Sequence, residues 1–291
     1  MSIRIDNITR GRFGNKILQY NSLVQIANNY NTEPSCCDFS EAKYFKNVIP
    51  AKEIPKGKKK ELLFCKKIID GEILDFDNKY YTIDDPAYCL HNTFFQITNK
   101  DPREFLELKE EYRPKFNEDY YYIGIHLRGG DIIKADGNNG REIHEFLYYK
   151  DSIDYVLENF KDRDKIFYIC TDDTKFKSYT STLQYIKEKK INFKLGNINS
   201  YIHDFAILSE CDILINSSST FCVSASFLGK KNKFIIHSKK WLEKNINHEK
   251  WNNKGGKFLD YDITEYRKTF DDFWIKVGKK ENKYYKASVL L

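Results

Sequence analysis

Tyr120-Tyr121-Tyr122-Ile123-Gly124-Ile125-His126-Leu127 runs straight into Arg128-Gly129-Gly130-Asp131. Aromatic and β-branched residues suit a pleated surface. A nearly unbroken apolar run reads as a strand buried on both faces, the habit of parallel sheets. The glycine pair then ends the strand and starts a loop that continues through Gly140.

Downstream, the spacing predicts a helix over 147–160 and a strand over 165–170 that closes on Thr171-Asp172-Asp173. It continues with a helix to about Glu188, a strand over 191–195, a helix over 201–210 and a strand over 212–216. A helix over 217–228 and a strand over 233–236 complete the series. Upstream, residues 2–8 alternate as a strand, and Gly11-Arg12-Phe13-Gly14-Asn15 forms a tight turn. Apolar residues at helical spacing then run from Lys16 to about Tyr30, and 34–39 reads as a second strand. Between 41 and 118 the pattern is weaker, with apolar stretches at 61–69, 79–83 and 92–97 and a helix start at Pro102. The tail over 262–276 reads as an aromatic-rich helix.

Strands alternating with helices define an α/β fold with a parallel sheet covered on both faces. In such sheets ligands bind beyond the carboxyl ends of the strands. Polar motifs stand at three of those ends, after 127, after 170 and after 216. Their coincidence points to one site.

The chain of 291 residues suits two domains of ordinary size, and 41% hydrophobic residues supply their cores. The charge of +6 is dispersed, apart from the run Lys56-Gly57-Lys58-Lys59-Lys60 beside Pro55, which reads as a solvated loop. Dispersed basic residues, and aromatics that follow core periodicity, argue against a nucleic-acid partner. Seven cysteines without a CxxC exclude a zinc ribbon or redox pair, and Cys170, Cys211 and Cys222 read as small core residues. No apolar run reaches the ~18 residues of a membrane span, and no signal peptide is visible, so a cytoplasmic protein is expected.

Each motif has a chemistry. Arg128 offers a planar, permanently charged fork that matches two phosphate oxygens. A fixed cation there stabilises charge growing on a leaving phosphate. Asp131 is placed to orient that arginine, and an arginine–aspartate pair kept only for structure would look the same. Asn216-Ser217-Ser218-Ser219-Thr220-Phe221 brings hydroxyls and amides to a helix start, an anion site or a plain N-cap. Asp172 and Asp173 suit acceptance from a base or ribose, or helix capping by Asp173.

The set GRFGN, HLRGGD, TDD and NSSSTF, in this order, resembles the GT-B fucosyltransferase superfamily, which includes bacterial α1,2-fucosyltransferases and protein O-fucosyltransferases. The resemblance covers about residues 8 to 230, with nothing matched between 40 and 118. It implies a GT-B fold, two Rossmann-like domains facing across a cleft. The expected division is an acceptor-side domain over 1–118, a nucleotide-sugar domain over 119–260, and a terminal helix within 261–291 packing back on both.

It also implies an inverting glycosyltransferase moving a sugar, fucose from GDP-fucose first, from a nucleotide diphosphate sugar to a glycan hydroxyl. No metal or other cofactor is implied. By the resemblance Arg128 is catalytic and binds the β-phosphate, with His126 toward the nucleoside. Ser218, Ser219, Thr220 and Phe221 line the diphosphate, Phe13, Gly14 and Asn15 form the other wall, and Asp172 lies near the base or ribose. No base position matches; Asp38, at the end of the second strand, is the first choice, with Asp75 behind it.

Phe221-Cys222-Val223-Ser224 stands where the α1,2 enzymes place tryptophans, and Asn15-Lys16 replaces their Asn-Gln. Both leave a UDP-sugar such as UDP-xylose open as donor. Two rivals remain. A metal-dependent GT-A enzyme would use Asp75-Phe76-Asp77, and a non-catalytic nucleotide- or glycan-binding protein would keep the cleft without turnover.

Overall fold

The computed structural model describes residues 2–5, 8, 11–36, 39–48, 59–63, 74, 79–83, 101–130, 144–197, 199–217, 219–230, 233–238, 275–277 and 285–289. They form two compact units, which divide between Lys109 and Glu110.

The amino-terminal unit is built on a four-stranded sheet of β1 (Ser2–Ile5), β2 (Glu33–Cys36), β3 (Lys59–Leu63) and β4 (Lys79–Ile83). All neighbours are parallel, in the order β2-β1-β4-β3. Helix α1 (Phe13–Asn29) follows β1 and is buried along nearly its whole length, including Gln19, Asn21, Ser22 and Gln25. Its polar side chains are partly satisfied within the helix: Gln19 Nε2 donates to the Asn15 main-chain carbonyl at 3.2 Å, and Gln25 Nε2 to Asn21 Oδ1 at 3.5 Å.

The second unit carries β5 (Tyr120–Leu127), β6 (Asp164–Thr171), β7 (Phe193–Leu195), β8 (Ile213–Ile215) and β9 (Phe234–Ser238). Between them lie α2 (Phe146–Asn159), α3 (Lys177–Glu188), α4 (Tyr201–Glu210) and α5 (Thr220–Phe227). The five strands are parallel and lie in the order β7-β6-β5-β8-β9. Counted within the unit this is 3-2-1-4-5, the order of a dinucleotide-binding fold, and it reverses between β5 and β8.

Period two along β5 sorts the core. Ile123, Ile125 and Leu127 pack with Tyr148, Tyr149, Ile153 and Val156 of α2 and with Tyr179 and Ile186 of α3. Tyr122 packs instead with Cys211, just beyond α4, and His126 falls on that same side.

Two stretches differ from the sequence expectation. Residues 110–118 are tied to the second unit, because Arg113 Nε donates to Glu210 at 3.1 Å and Phe116 stacks on Tyr122 at 3.9 Å. The helix expected over 262–276 lies outside the described residues up to 274; Ile275 and Lys276 belong instead to strand β10 (Ile275–Val277), which β11 (Tyr285–Val289) follows. They extend the sheet antiparallel from β9. Tyr285-Lys-Ala-Ser-Val289 alternates with the period of a strand, and the open edge of β9 supplies its hydrogen-bond partners.

Candidate active site

The β5–β8 pairing ends at Ile125 and Ile215. β8 ends there and β5 two residues later, at Leu127, and each leads into one of the loops considered below. The opening between strands that run apart at a reversal of order is where doubly wound sheets take their ligands.

From β5, His126 projects into this opening and is buried, and its Nδ1 lies 2.6 Å from Ser217 Oγ in the turn after β8. Its ring packs against Phe221 at 5.3 Å, and Phe221 in turn meets Phe205 of α4 edge-on at 5.4 Å. Burial, reinforced by the charge of Arg128, pulls the imidazole pKa down to about 3. His126 is therefore neutral at any working pH. A neutral ring presents one N–H and one lone pair, so either it accepts from the Ser217 hydroxyl or it donates to it.

Arg128 forms an ion pair with Asp172, which stands at the end of β6. The same carboxylate accepts from the Gly129 N–H at 2.8 Å. Gly130 has φ +50°, and a Cβ there would lie 2.7 Å from Asp172 Oδ2, so the loop can close on the aspartate only with glycine at this position. Asp172 thus grips the loop after β5 at two points. The sequence reading assigned it to base or ribose; its contacts in this structure are to Arg128 and the loop. Asp173 accepts from the Lys175 N–H at 2.9 Å, a local cap before α3.

After β8, Ser219 is the N-cap of α5, its Oγ accepting from the Phe221 N–H at 3.3 Å. Thr220 opens the helix and is partly exposed. The α5 start therefore combines an ordinary cap with an amide-rich, positive helix end. Behind the opening, Cys170, Cys211 and Cys222 are buried free thiols. Burial raises all three, Cys222 to about 12. These are the core residues that the sequence reading expected.

Phe13, Gly14 and Asn15 lie in the amino-terminal unit, at the start of α1. Gly11 has φ +79°, and a Cβ there would fall on the Asn15 side chain, so the glycine and asparagine of this motif are packed as one turn. Lys16, the departure from the superfamily pattern, donates to Glu41 at 2.8 Å and to Ser40 at 3.1 Å. Asp38, Asp75, Asp77, Asp131 and Ser218 lie outside the described residues. Among the described residues no group of His, Cys, Asp and Glu could hold a metal ion, and no helix is long and apolar enough to cross a membrane.

Three residues that hold the site were not singled out by sequence. The sequence marks Ser217 only as part of the turn, and Tyr148 and Tyr149 only as residues within the helix over 147–160. Tyr149 donates to the His126 carbonyl at 3.3 Å, and Tyr148 to the Asn216 carbonyl at 2.7 Å.

Two α/β units, the second with a charged and hydroxyl-bearing opening at its strand reversal, make the GT-B-type architecture. The chain belongs to glycosyl transferase family 11, whose signature matches residues 5–256. This places it in the fucosyltransferase superfamily that its motifs resemble. Fucosyltransferase NodZ from Bradyrhizobium is similar in fold, with 13% identity over 81% of this chain and 94% of that one and a TM-score of 0.50. NodZ α-1,6-fucosyltransferase soaked with GDP-fucose aligns at 14% identity over 82% and 94%, TM-score 0.49. POFUT1 in complex with GDP aligns at 12% over 78% and 94%, TM-score 0.49. No curated protein matches the sequence.

Proposed function

We propose that this glycosyltransferase moves fucose from GDP-fucose to a hydroxyl of a glycan acceptor, inverting the anomeric carbon and using no metal ion. The observation that carries this reading is the placing of Arg128 at the strand reversal of the second sheet, opposite the hydroxyl-bearing start of α5. The family and the motif set support fucose, and the fucosyltransferase fold neighbour agrees with it.

In the reaction the acceptor oxygen forms a bond to the anomeric carbon from the face opposite the diphosphate. The bond from that carbon to the β-phosphate oxygen breaks, and its electron pair stays on the phosphate. Arg128, oriented by Asp172, meets the growing charge with its fork, and the α5 amides add their partial positive charge. His126 stays neutral and fixes the serine turn or offers one hydrogen bond to the nucleoside. The acceptor hydroxyl gives up its proton to a general base, for which Asp38 remains our assignment.

Thermal shift with GDP, UDP, CMP and their sugar conjugates tests the donor, since a ligand that binds the native state raises its Tm. GDP and GDP-fucose are expected to stabilise most. Stabilisation by UDP and UDP-xylose alone would replace the donor, in line with Phe221-Cys222-Val223-Ser224 standing where tryptophans are usual. Transfer lost in excess chelator would overturn the metal-free reading, and binding without transfer or hydrolysis would leave a binding protein.

A further inference from the structure

The opening between β5 and β8 has a backbone consequence. Where ladders end, main-chain carbonyls lose partners and, if buried, need replacements. The His126 carbonyl faces the gap toward β8, and the Asn216 carbonyl lies beyond the last β8–β9 pair, Ile215–Ile236. The replacements here come from two consecutive residues of α2. Tyr149, on the face of β5 opposite His126, sends its hydroxyl to the His126 carbonyl at 3.3 Å. Tyr148 sends its hydroxyl to the Asn216 carbonyl at 2.7 Å, and the Ile236 carbonyl of β9 lies 3.1 Å from the same oxygen. Asn216 immediately precedes Ser217, whose hydroxyl meets His126.

Both tyrosines are almost fully buried, at 2% and 1% exposure. They meet edge-on at 5.0 Å, and the His144 ring lies over Tyr148 at 4.4 Å. The His144 carbonyl is itself held by Ser178 Oγ of α3 at 3.0 Å. One short helical segment, braced from behind, therefore grips the carboxyl ends of three adjacent strands.

We propose that Tyr148 and Tyr149 are positioning residues of the donor site. They set the separation of the β5 and β8 carboxyl ends at which His126, Arg128 and the serine turn act on one diphosphate. Neither touches the donor; Tyr148 acts through Asn216 and Ser217, and Tyr149 through the backbone between His126 and Arg128. This rests on the donor site lying at the strand reversal, as proposed above. A tyrosine serving only the core would contribute through its ring, and phenylalanine would replace it.

The test is Tyr148→Phe, with Tyr155→Phe of the same helix as control, whose ring packs on Phe234 away from the carboxyl ends. GDP affinity by calorimetry and steady-state kinetics with GDP-fucose are measured for both. Tyr148→Phe is expected to weaken GDP binding and raise the donor KM by about tenfold, the worth of one hydrogen bond to a buried carbonyl. Its kcat should stay within about threefold, and Tyr155→Phe should leave both constants unchanged. If Tyr148→Phe does not fold, Tyr149→Phe, with its longer bond, takes the same measurements with a smaller expected rise. Wild-type affinity and KM in the folded variant overturn the proposal alone. A wild-type protein that binds no nucleoside diphosphate overturns the functional reading and the proposal with it.

Discussion

His126 Nδ1 and Ser217 Oγ meet at 2.6 Å across the opening between β5 and β8, both buried. The contact joins the two loops that carry Arg128 and the α5 start, and it is made by an imidazole that burial keeps neutral. Because burial and the nearby Arg128 charge disfavour a proton on His126, the pair ties the integrity of the site to pH.

The sign follows from the direction of the shift. The unfolded chain binds a proton at His126 near pH 6.5, and the folded chain only near 3. The stability that goes with neutral His126 is fully present above about pH 6.5 and is lost as pH falls toward 3, by at most ~1.4 kcal/mol per pH unit. Denaturant unfolding between pH 7 and 4 should show this slope, and His126→Asn should flatten it. An equal slope in the variant would assign the loss to other groups.

Arg128→Ala should lower turnover about 10²–10³-fold, the scale of losing a fixed transition-state charge partner, while Tm drops by only a few degrees. Arg128→Lys should recover little, since a point charge does not reproduce the fork. A fully active or insoluble Arg128→Ala protein would remove Arg128 from the chemistry.

Asp172 separates orientation from loop support. Asp172→Asn keeps an acceptor for the Gly129 N–H but loses the charge facing Arg128, so kcat should fall with Tm nearly unchanged. Asp172→Ala loses both, so stability should also fall, by the ~1–3 kcal/mol of an unsatisfied amide, and Tm with it. Identical Tm values for the two variants would count against the double role.

Gly130→Ala places a Cβ against the Asp172 carboxylate and forces a side chain into positive φ. We expect a loss of ~1–2 kcal/mol of stability together with most of the activity. Retention of both would mean that the loop closes on Asp172 in another way.

Cys170, Cys211 and Cys222 are buried with raised thiol pKa. Iodoacetamide at pH 8 should leave their peptides unlabelled in the native protein and label them fully in denaturant, read by peptide mass spectrometry. Native labelling of Cys222, next to Phe221, would show that the core behind His126 opens.

Much of the second unit was legible because each strand is a short run of apolar and aromatic residues closed by a polar motif. The register of Ile213–Ile215 beside Ile123–Ile125 then placed those motifs together. Charge and hydroxyl content marked Arg128 and the serine turn, and the resemblance supplied the roles expected of them. The pairing of Arg128 with Asp172 could not be read, because sequence offered Asp131 as a nearer partner and only the register of β5 and β6 brings Leu127 level with Thr171. Tyr148 and Tyr149 were invisible as site residues because their rings obey helix periodicity; the hydroxyls matter only once the ends of three strands are in place.

The His126–Ser217 contact joins residues 91 positions apart in the chain. Contacts of such long sequence separation carry a loop-closure cost and form late in folding. The opening therefore exists only after β5 and β8 have docked side by side. A refolding chain should recover helical signal first and nucleotide binding in its slowest phase. Partial unfolding that frees β8 should silence the enzyme while most of its secondary structure persists.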